Sequence, residues 1–329
     1  MVSKQELQDF LKGKTSLLNK LERKRKIFRF LLVLYIISLV LTICSIIIPL
    51  LSSSVREYTG NSFPLDAFLV TIIPLCIFTI VVIIKYVTYA NEYANKIAKE
   101  AISFIDNTWT IEKKGVIPEN IYNDSFLFTT KEYETYEGEN LIEGKIKEVN
   151  FMCSELKTSY SETRTKIKKG RRVTQVDWHT IFNGLFSCIN FNKQFSEMTM
   201  VRTKKIKSDT LGLSMINNLE NATFNDFFDV YSSDAVEVAN ILTPAVMEAF
   251  VDLAKHYHDE PILFSFSGTR AYGTLSVFDA IYSVPVFKTI YELKELMGFY
   301  TFLYTHQVII EELDQNNELW ERVADLKLS

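Results

Sequence analysis

The sequence is poor in the residues that build most metal and redox sites, with 4 histidines and 4 cysteines among 329 residues. The cysteines form no Cys-x-x-Cys pair, which argues against a zinc site or a disulfide framework. His256 and His258 have no third ligand at a recognisable spacing, so we interpret them as surface residues. The sequence also has no His-Glu-x-x-His motif, Gly-rich phosphate loop or Gly-x-Ser-x-Gly elbow. We therefore predict no metal and no cofactor, and none of these patterns supports an enzymatic activity.

A general excess of basic residues is missing as well, since 36 Lys and Arg stand against 40 Asp and Glu. Residues 1–90 hold 11 basic and 5 acidic residues, which leaves 25 against 35 for the rest. An acidic remainder argues against nucleic acid as a partner, and the aromatic interleaving of a base-stacking surface is absent too.

Two long uncharged apolar runs dominate what the sequence does contain: Phe30 to Val55 and Ala67 to Ile84. At about 1.5 Å per helical residue they cover about 39 Å and about 27 Å, enough to cross a bilayer. A secretory signal is the alternative for the first run, but its apolar core would have roughly 7 to 15 residues and a small-residue cleavage site. We predict two transmembrane helices.

Basic residues set the expected orientation of these helices. Nine of them precede the first run, whereas the connector between the runs carries only Arg56. Cytoplasmic flanks are the ones enriched in Lys and Arg, so we predict a multi-pass protein of the cell membrane with both termini in the cytoplasm. The basic cluster Arg23 to Lys26 fits either an ordinary stop signal or a contact with anionic headgroups.

Local patterns predict an α+β fold, with a transmembrane helical hairpin followed by a cytoplasmic, mainly antiparallel sheet and flanking helices. Ser3 to Glu6 has the form of a capping box, and Asp234 and Thr243 are expected helix caps. A C-terminal helical region is expected from Phe287 to about Lys327. Short β-branched and aromatic runs predict strands at Tyr122 to Thr129, Leu141 to Val149, Phe151 to Ser161, Val173 to Asp177, Thr180 to Asn190, Glu197 to Arg202, Ile262 to Ser267 and Ala271 to Val277.

These elements predict six regions along the chain. They are a cytoplasmic amphipathic helix (1–27), transmembrane helix 1 (28–52), a short external loop (53–65), transmembrane helix 2 (66–87), a helical stalk (88–107) and a cytoplasmic α+β domain with C-terminal helices (108–329). The alternative for the first region is a helix that lies on the inner leaflet.

Several short segments then follow one another in a recognisable order: Tyr136 to Gly144, Ser154 to Leu156, Phe182 to Phe186, Asn190 to Lys193, Phe228 to Ser232 and Ile241 to Pro244. In this order they resemble the bacterial domain of unknown function 3137, also labelled galanin-like. The resemblance implies two N-terminal spans before a cytoplasmic domain, and it supplies no reaction and no catalytic residue. Asn140 and Asn183 depart from the acidic and the basic residue expected there.

Two sets of polar residues are the candidate sites. The basic residues could contact an anionic surface, or they could simply form a solvated hairpin tip. The polar residues of the predicted spans could pack one helix against the other or line a pore. The basic set is Lys166, Lys168, Lys169, Arg171, Arg172, Arg202, Lys204, Lys205 and Lys207, and the span set is Ser38, Thr42, Ser45, Thr71 and Thr79.

We therefore predict an integral membrane protein with a cytoplasmic partner-binding, scaffold or regulatory domain. Its expected partners are the lipid bilayer and either a protein or the anionic inner leaflet. The alternative is a homo-oligomeric membrane effector or channel that the cytoplasmic domain gates.

Overall fold

The computed structural model describes residues 1–51, 63–168, 171–191, 193–204, 206, 209–217, 219–258, 260–277 and 284–316. The chain divides into two compact units. We call Ser3–Phe104 together with Tyr282–Leu293 the helical unit, and Met1–Val2, Ile105–Ile281 and Lys294–Ser329 the sheet unit.

The helical unit begins with a capped helix. The Ser3 side chain accepts a hydrogen bond from the Glu6 backbone N–H, while the Glu6 carboxylate accepts one from the Ser3 N–H, which is the expected capping box. The helices are α1 (Lys4–Gly13), α2 (Thr15–Leu51), α3 (Phe63–Tyr93), a π-helical turn (Ala94–Ala98) and α4 (Lys99–Ile105).

Helices α2 and α3 are apolar along most of their length and pack against each other. Leu75 and Val82 are buried, and the rings of Phe28 and Tyr86 lie 5.3 Å apart between centroids. Many other apolar side chains of the pair face outwards; Val70, for example, is 72% exposed. Both helices are long and apolar enough to cross a membrane.

The sheet unit contains a nine-stranded sheet with the order β1-β2-β3-β4-β9-β8-β5-β7-β6, and all its pairings are antiparallel. The strands are β1 (Thr110–Glu112), β2 (Thr135–Ile146), β3 (Val149–Lys168), β4 (Arg171–Asn190), β5 (Thr199–Thr203), β6 (Ser214–Ile216), β7 (Phe228–Ser232), β8 (Ile262–Ser267) and β9 (Arg270–Leu275).

Strands β3 and β4, third and fourth in this order, form a long hairpin, with Lys168 paired to Arg171 next to its tip. Strand β4 also pairs with β9, and there Gly184 is required, because a Cβ at this position would lie 2.1 Å from the Leu275 carbonyl oxygen. Gly184 therefore permits a close approach of the two backbones at this point.

Helices of the sheet unit carry the expected caps. Asp234 and Thr243 accept backbone hydrogen bonds at the starts of two helices, and Pro244 occupies the first position of the second. The helices are α5 (Glu119–Asn123), α6 (Ala222–Phe227), α7 (Ala235–Ile241), α8 (Pro244–His256) and α9 (Lys294–Gln315). Phe250 of α8 and Phe302 of α9 both meet Phe264 of β8, which joins helices and sheet in one apolar core.

The α+β class, the mainly antiparallel sheet and the two apolar N-terminal helices are confirmed. The strand predicted at Tyr122 to Thr129 is wrong, because this segment contains the end of α5 and a loop in which Phe126 has a φ of 55°. The predicted start of the C-terminal helix at Phe287 is also wrong: α9 begins at Lys294, after a 3-10 turn (Ile290–Glu292). The expected end near Lys327 lies outside the described residues.

Candidate functional site

The most elaborate polar arrangement in the helical unit is an ion pair on α2. Glu22 and Arg25 lie one helical turn apart, so their side chains share a face. Arg25 donates through Nε to Glu22 Oε2 at 2.8 Å and through Nη2 to Oε1 at 2.6 Å, and both residues are buried. This two-pronged geometry gives both charges a fixed partner away from water.

The ion pair fastens a distant stretch of chain, Val284 to Leu293, which we call the connecting segment because it lies between β9 and α9. Arg25 Nη1 donates to the Val286 carbonyl oxygen at 2.9 Å, and the Tyr89 hydroxyl of α3 donates to the Pro285 carbonyl oxygen at 2.9 Å. Each of the two apolar helices thus binds one of two successive carbonyl groups of the connecting segment.

The other end of the connecting segment is held from α2 as well. The Ile290 backbone N–H donates to Glu22 Oε2 at 3.3 Å, and the Tyr291 hydroxyl donates to Asn19 Oδ1 at 2.6 Å. The Glu22 carboxylate therefore accepts hydrogen bonds from both Arg25 and the connecting segment. We call Glu22, Arg25, Tyr89 and these segment contacts the junction.

Electrostatics keep the junction charged. Hydrogen bonding from Arg25 lowers the pKa of Glu22 below its ordinary value despite burial, and Glu22 in turn raises the pKa of Arg25. Burial raises the pKa of Tyr89, so this hydroxyl stays protonated and able to donate. Losing either charge would leave the other buried without its counter-ion.

A second ionic group lies along the same helices. Glu92 of α3 is paired with Lys20 and Lys24 of α2 and with Lys96 one turn further along. Hydrogen bonding from Lys24, against some desolvation, lowers the pKa of Glu92 to about 2. Two residues of the basic stretch predicted near the membrane, Lys24 and Arg25, are therefore engaged inside the protein.

The first predicted basic patch lies at the end of the β3–β4 hairpin. Lys166 and Lys168 belong to β3, and Arg171 and Arg172 belong to β4, where Arg172 is exposed. Lys169 and the side chains of the other three lie outside what the structure describes. Strand pairing places the two halves of this patch side by side. Its contact with an anionic surface stays a prediction.

The second predicted patch is divided by the fold. Lys204 is exposed, but Arg202 is only 8% exposed, and its guanidinium stacks on the Tyr231 ring at 4.3 Å and donates to the Tyr231 hydroxyl at 2.6 Å. Arg202 is therefore a packing residue between β5 and β7, contrary to the surface contact expected of it. Lys205 and Lys207 lie outside the described residues.

The predicted polar residues of the two apolar helices hydrogen-bond mostly within their own helices. Ser38 donates to the Tyr35 carbonyl oxygen and Thr42 to that of Ser38, while Thr79 lies 3.3 Å from the Tyr35 hydroxyl of the other helix. Thr71 is half-buried on α3, and the side chain of Ser45 is outside the described set. The prediction of a packing or pore-lining face stays open.

A Ser–His contact lies in the core of the sheet unit. Ser187 Oγ is 2.6 Å from His306 Nε2, and the His306 Nδ1 atom is 2.6 Å from the Phe302 carbonyl oxygen. Burial lowers the pKa of His306 to about 4, so the imidazole is neutral near pH 7. Both side chains are enclosed, which gives the serine a structural hydrogen bond and no access to a substrate.

Two surface cavities lie among the described residues of the sheet unit. One of about 490 Å³ is lined by aromatic residues including Tyr122 and Tyr133; another of about 300 Å³ includes Lys204, Tyr257 and His258. Among the residues that the structure describes, no group of three His, Cys, Asp or Glu side chains could hold a metal ion. Neither cavity gathers a recognisable reactive set.

Sequence patterns missed the junction. Its partners are separated by 196 residues from Tyr89 to Pro285, and by 268 from Glu22 to Ile290. The available signal was Glu22 itself, the one acidic residue within a strongly basic stretch and one turn before Arg25. An acid at that position marks a specific ionic contact inside a segment otherwise interpreted as a membrane flank.

The fold and junction define a class of protein in which two apolar N-terminal helices precede an α+β unit with a mainly antiparallel sheet. The family described as "Protein of unknown function (DUF3137)" matches residues 180–315, which confirms the family resemblance over that stretch. The matched stretch runs from β4 to the end of α9 and does not include the two apolar helices.

Other comparisons add no functional information. No curated protein matches the chain. A solved structure described as "crystal structure of the mycobacterial trehalose monomycolate transport factor A, TtfA" is 10% identical, with a TM-score of 0.33 over 66% of this chain and 91% of that one. A similarity at this level carries no conclusion about this chain.

Proposed function

We propose that this chain is an integral membrane protein whose two spans tether a cytoplasmic α+β unit that acts as a scaffold or regulatory module. Outward apolar side chains on α2 and α3 support the spans, and the basic N-terminal flank supports a cytoplasmic location. The junction is the observation that carries the regulatory part of the proposal. It ties both apolar helices to the segment that directly precedes α9 in the chain.

We favour the anionic inner leaflet as the partner of the sheet unit. The basic residues at the end of the β3–β4 hairpin would contact it. Exposed Arg172 and the register of Lys168 with Arg171 support this choice, since each cationic residue near a membrane surface contributes about 1 kcal/mol. A protein partner at the same patch is the alternative that remains if the leaflet contact fails its test.

Cysteine labelling tests the topology. In a background with Cys44 and Cys76 replaced by Ala, one variant carries Ser53→Cys in the connector and another carries Thr163→Cys on β3. A membrane-impermeant maleimide should label position 53 in intact cells and position 163 only after permeabilisation. Labelling of both positions in intact cells, or release of the protein by alkaline carbonate, would contradict the proposal.

Charge reversal tests the leaflet contact. The full chain is reconstituted in vesicles with or without anionic lipid, and hydrogen exchange is followed at the β3–β4 hairpin. Protection of the hairpin should require anionic lipid and should vanish in Arg171→Glu/Arg172→Glu, but persist in the control Lys113→Glu/Lys114→Glu, which changes charge equally at exposed positions. Equal protection in all three proteins, or protection without anionic lipid, would contradict the leaflet contact.

The channel alternative receives no separate support. Thr42 and Thr79 donate to backbone carbonyl oxygens of their own helices, and Thr79 also donates to the Tyr35 hydroxyl of the other helix at 3.3 Å, a polar contact of the kind that packs one transmembrane helix on another. We therefore keep the tethered module as the single proposed function.

A further inference from the structure

An exposed phenylalanine stands out on the connecting segment. Phe287 is 71% exposed, and among the described large apolar side chains only Val70, inside a proposed span, is more exposed. It follows directly after Val286, whose carbonyl oxygen is held by Arg25. An apolar ring this exposed on a fastened segment gains free energy from leaving water only where an apolar environment receives it.

The position of the connecting segment along α2 and α3 indicates which apolar environment could receive the Phe287 ring. Arg25 lies three residues before the proposed first span and Tyr89 two residues after the second. At about 1.5 Å per residue, both anchor points fall within one helical turn of the span ends. The carbonyl groups of Pro285 and Val286 are bonded to these two side chains, so they are held at the same level. Phe287 is therefore placed where the lipid-facing surface of the spans begins.

Charge around this level fits a bilayer surface. Lys26, Arg29 and Lys288 are exposed, and the side chain of Lys26 is 68% exposed. Basic side chains beside an aromatic ring are the usual composition of the headgroup boundary, where the ring enters the acyl region and the cations stay among phosphates.

We propose that the connecting segment is a membrane-interface anchor, with Phe287 inserted at the boundary between headgroups and acyl chains of the inner leaflet. This inference rests on the proposed membrane insertion of α2 and α3. The bilayer would then contact the protein at a third place, directly before α9, and the junction would set the depth of that contact.

Depth-dependent fluorescence quenching tests the anchor. Phe287→Trp and the control Val236→Trp, whose parent residue is 58% exposed on α7, are each compared with the parent protein, since its three tryptophans contribute equally to all samples. The proteins are reconstituted in vesicles of lipids brominated near the headgroup or near the chain end. The indole introduced at position 287 should show blue-shifted emission and lose roughly half of its added intensity to the shallow bromines, because interfacial groups lie about 5–10 Å into the boundary. The indole introduced at position 236 should show neither effect.

Alkaline carbonate extraction of the same vesicles separates the two hypotheses. If the proteins resist extraction but the tryptophan at position 287 is quenched no more strongly than the one at position 236, the anchor is overturned and the membrane tether stands. Extraction of all three proteins overturns the tether, and the anchor with it.

Discussion

The helical unit and the sheet unit bury polar groups by different physical means. The helical unit relies on full charges, with Glu22 against Arg25 and Glu92 against three lysines. The sheet unit relies mainly on strand pairing, close-packed rings and neutral contacts such as Ser187 with His306. Long amphipathic side chains can bury their aliphatic stems along a helix pair and still pair their charged ends, whereas a sheet core needs close complementarity of shape. We therefore expect charge removal to loosen the first unit and added volume to loosen the second.

The largest expected effect comes from breaking the junction. Arg25→Met leaves Glu22 buried without its counter-ion and the Val286 carbonyl oxygen without its donor, which costs about 3–5 kcal/mol. Hydrogen exchange of Val284 to Leu293, measured on the full chain in lipid nanodiscs, should accelerate by about 10²–10⁴-fold. Strands β3 and β4 should keep their protection. The matched control is Lys26→Met, because Lys26 is exposed and 3.9 Å from Glu22; an equal effect of both variants would refute the role of the buried pair.

A methyl group tests the sheet unit. In Gly184→Ala the new Cβ would meet the Leu275 carbonyl oxygen, so β9 must move away from β4, at a cost of about 3 kcal/mol. Urea unfolding followed by exchange of β4 and β9 measures the loss. Gly13→Ala is the control, since its Cβ has open space and should change stability by no more than about 1 kcal/mol. Similar losses in both variants would show that packing at β4 is not the cause.

Acid should weaken the sheet unit through His306. The folded pKa is about 4 against an ordinary 6.5, so the unfolded chain binds a proton first as the pH falls. The stability contribution is complete above pH 6.5 and is lost between pH 6.5 and 4. Urea midpoints at about pH 7.5 and about pH 5 measure this change, and His306→Gln should flatten it. An unchanged pH dependence in that variant would assign the effect to other groups.

The smallest effect is expected at Glu92. Its lysine partners are partly exposed, so Glu92→Gln should cost about 1 kcal/mol, less at high salt. Because the pKa of Glu92 is lowered from 4.5 to about 2, its contribution is complete above pH 4.5 and is lost as the pH falls towards 2. Exchange at the α2–α3 contact in low and high salt measures it, with the exposed Asp9→Asn as control. A salt-independent loss would rule out a charge effect.

The features that sequence reasoning predicted well are local. Ser3, Asp234 and Thr243 cap helices through contacts within three residues, so their neighbours alone specify them. Hairpin β3–β4 was also predictable, because a short basic sequence that contains a glycine separates two runs of strand-forming residues. The strand Ile262–Ser267 has the bounds expected from its apolar run.

The predictions that failed depended on distant partners. Tyr122 has strand propensity, yet it lies near the end of a short helix because its ring packs on Phe186 and its hydroxyl bonds to Thr158, residues of two different strands. Arg202 was predicted to be a surface cation, but its guanidinium packs against Tyr231, which lies 29 residues further along the chain. Neither partner could be identified from the neighbouring sequence.

The sequence by itself determined the two apolar helices, the charge difference across the connector, the helix caps and the α+β class, because each follows from residue type and short-range periodicity. Only the tertiary structure decided which charges are paired inside the protein and which remain outside. The junction illustrates the reason: Ile290 and Val286, which bond to Glu22 and Arg25, lie 268 and 261 residues away along the chain, and short-range periodicity cannot identify partners at that separation.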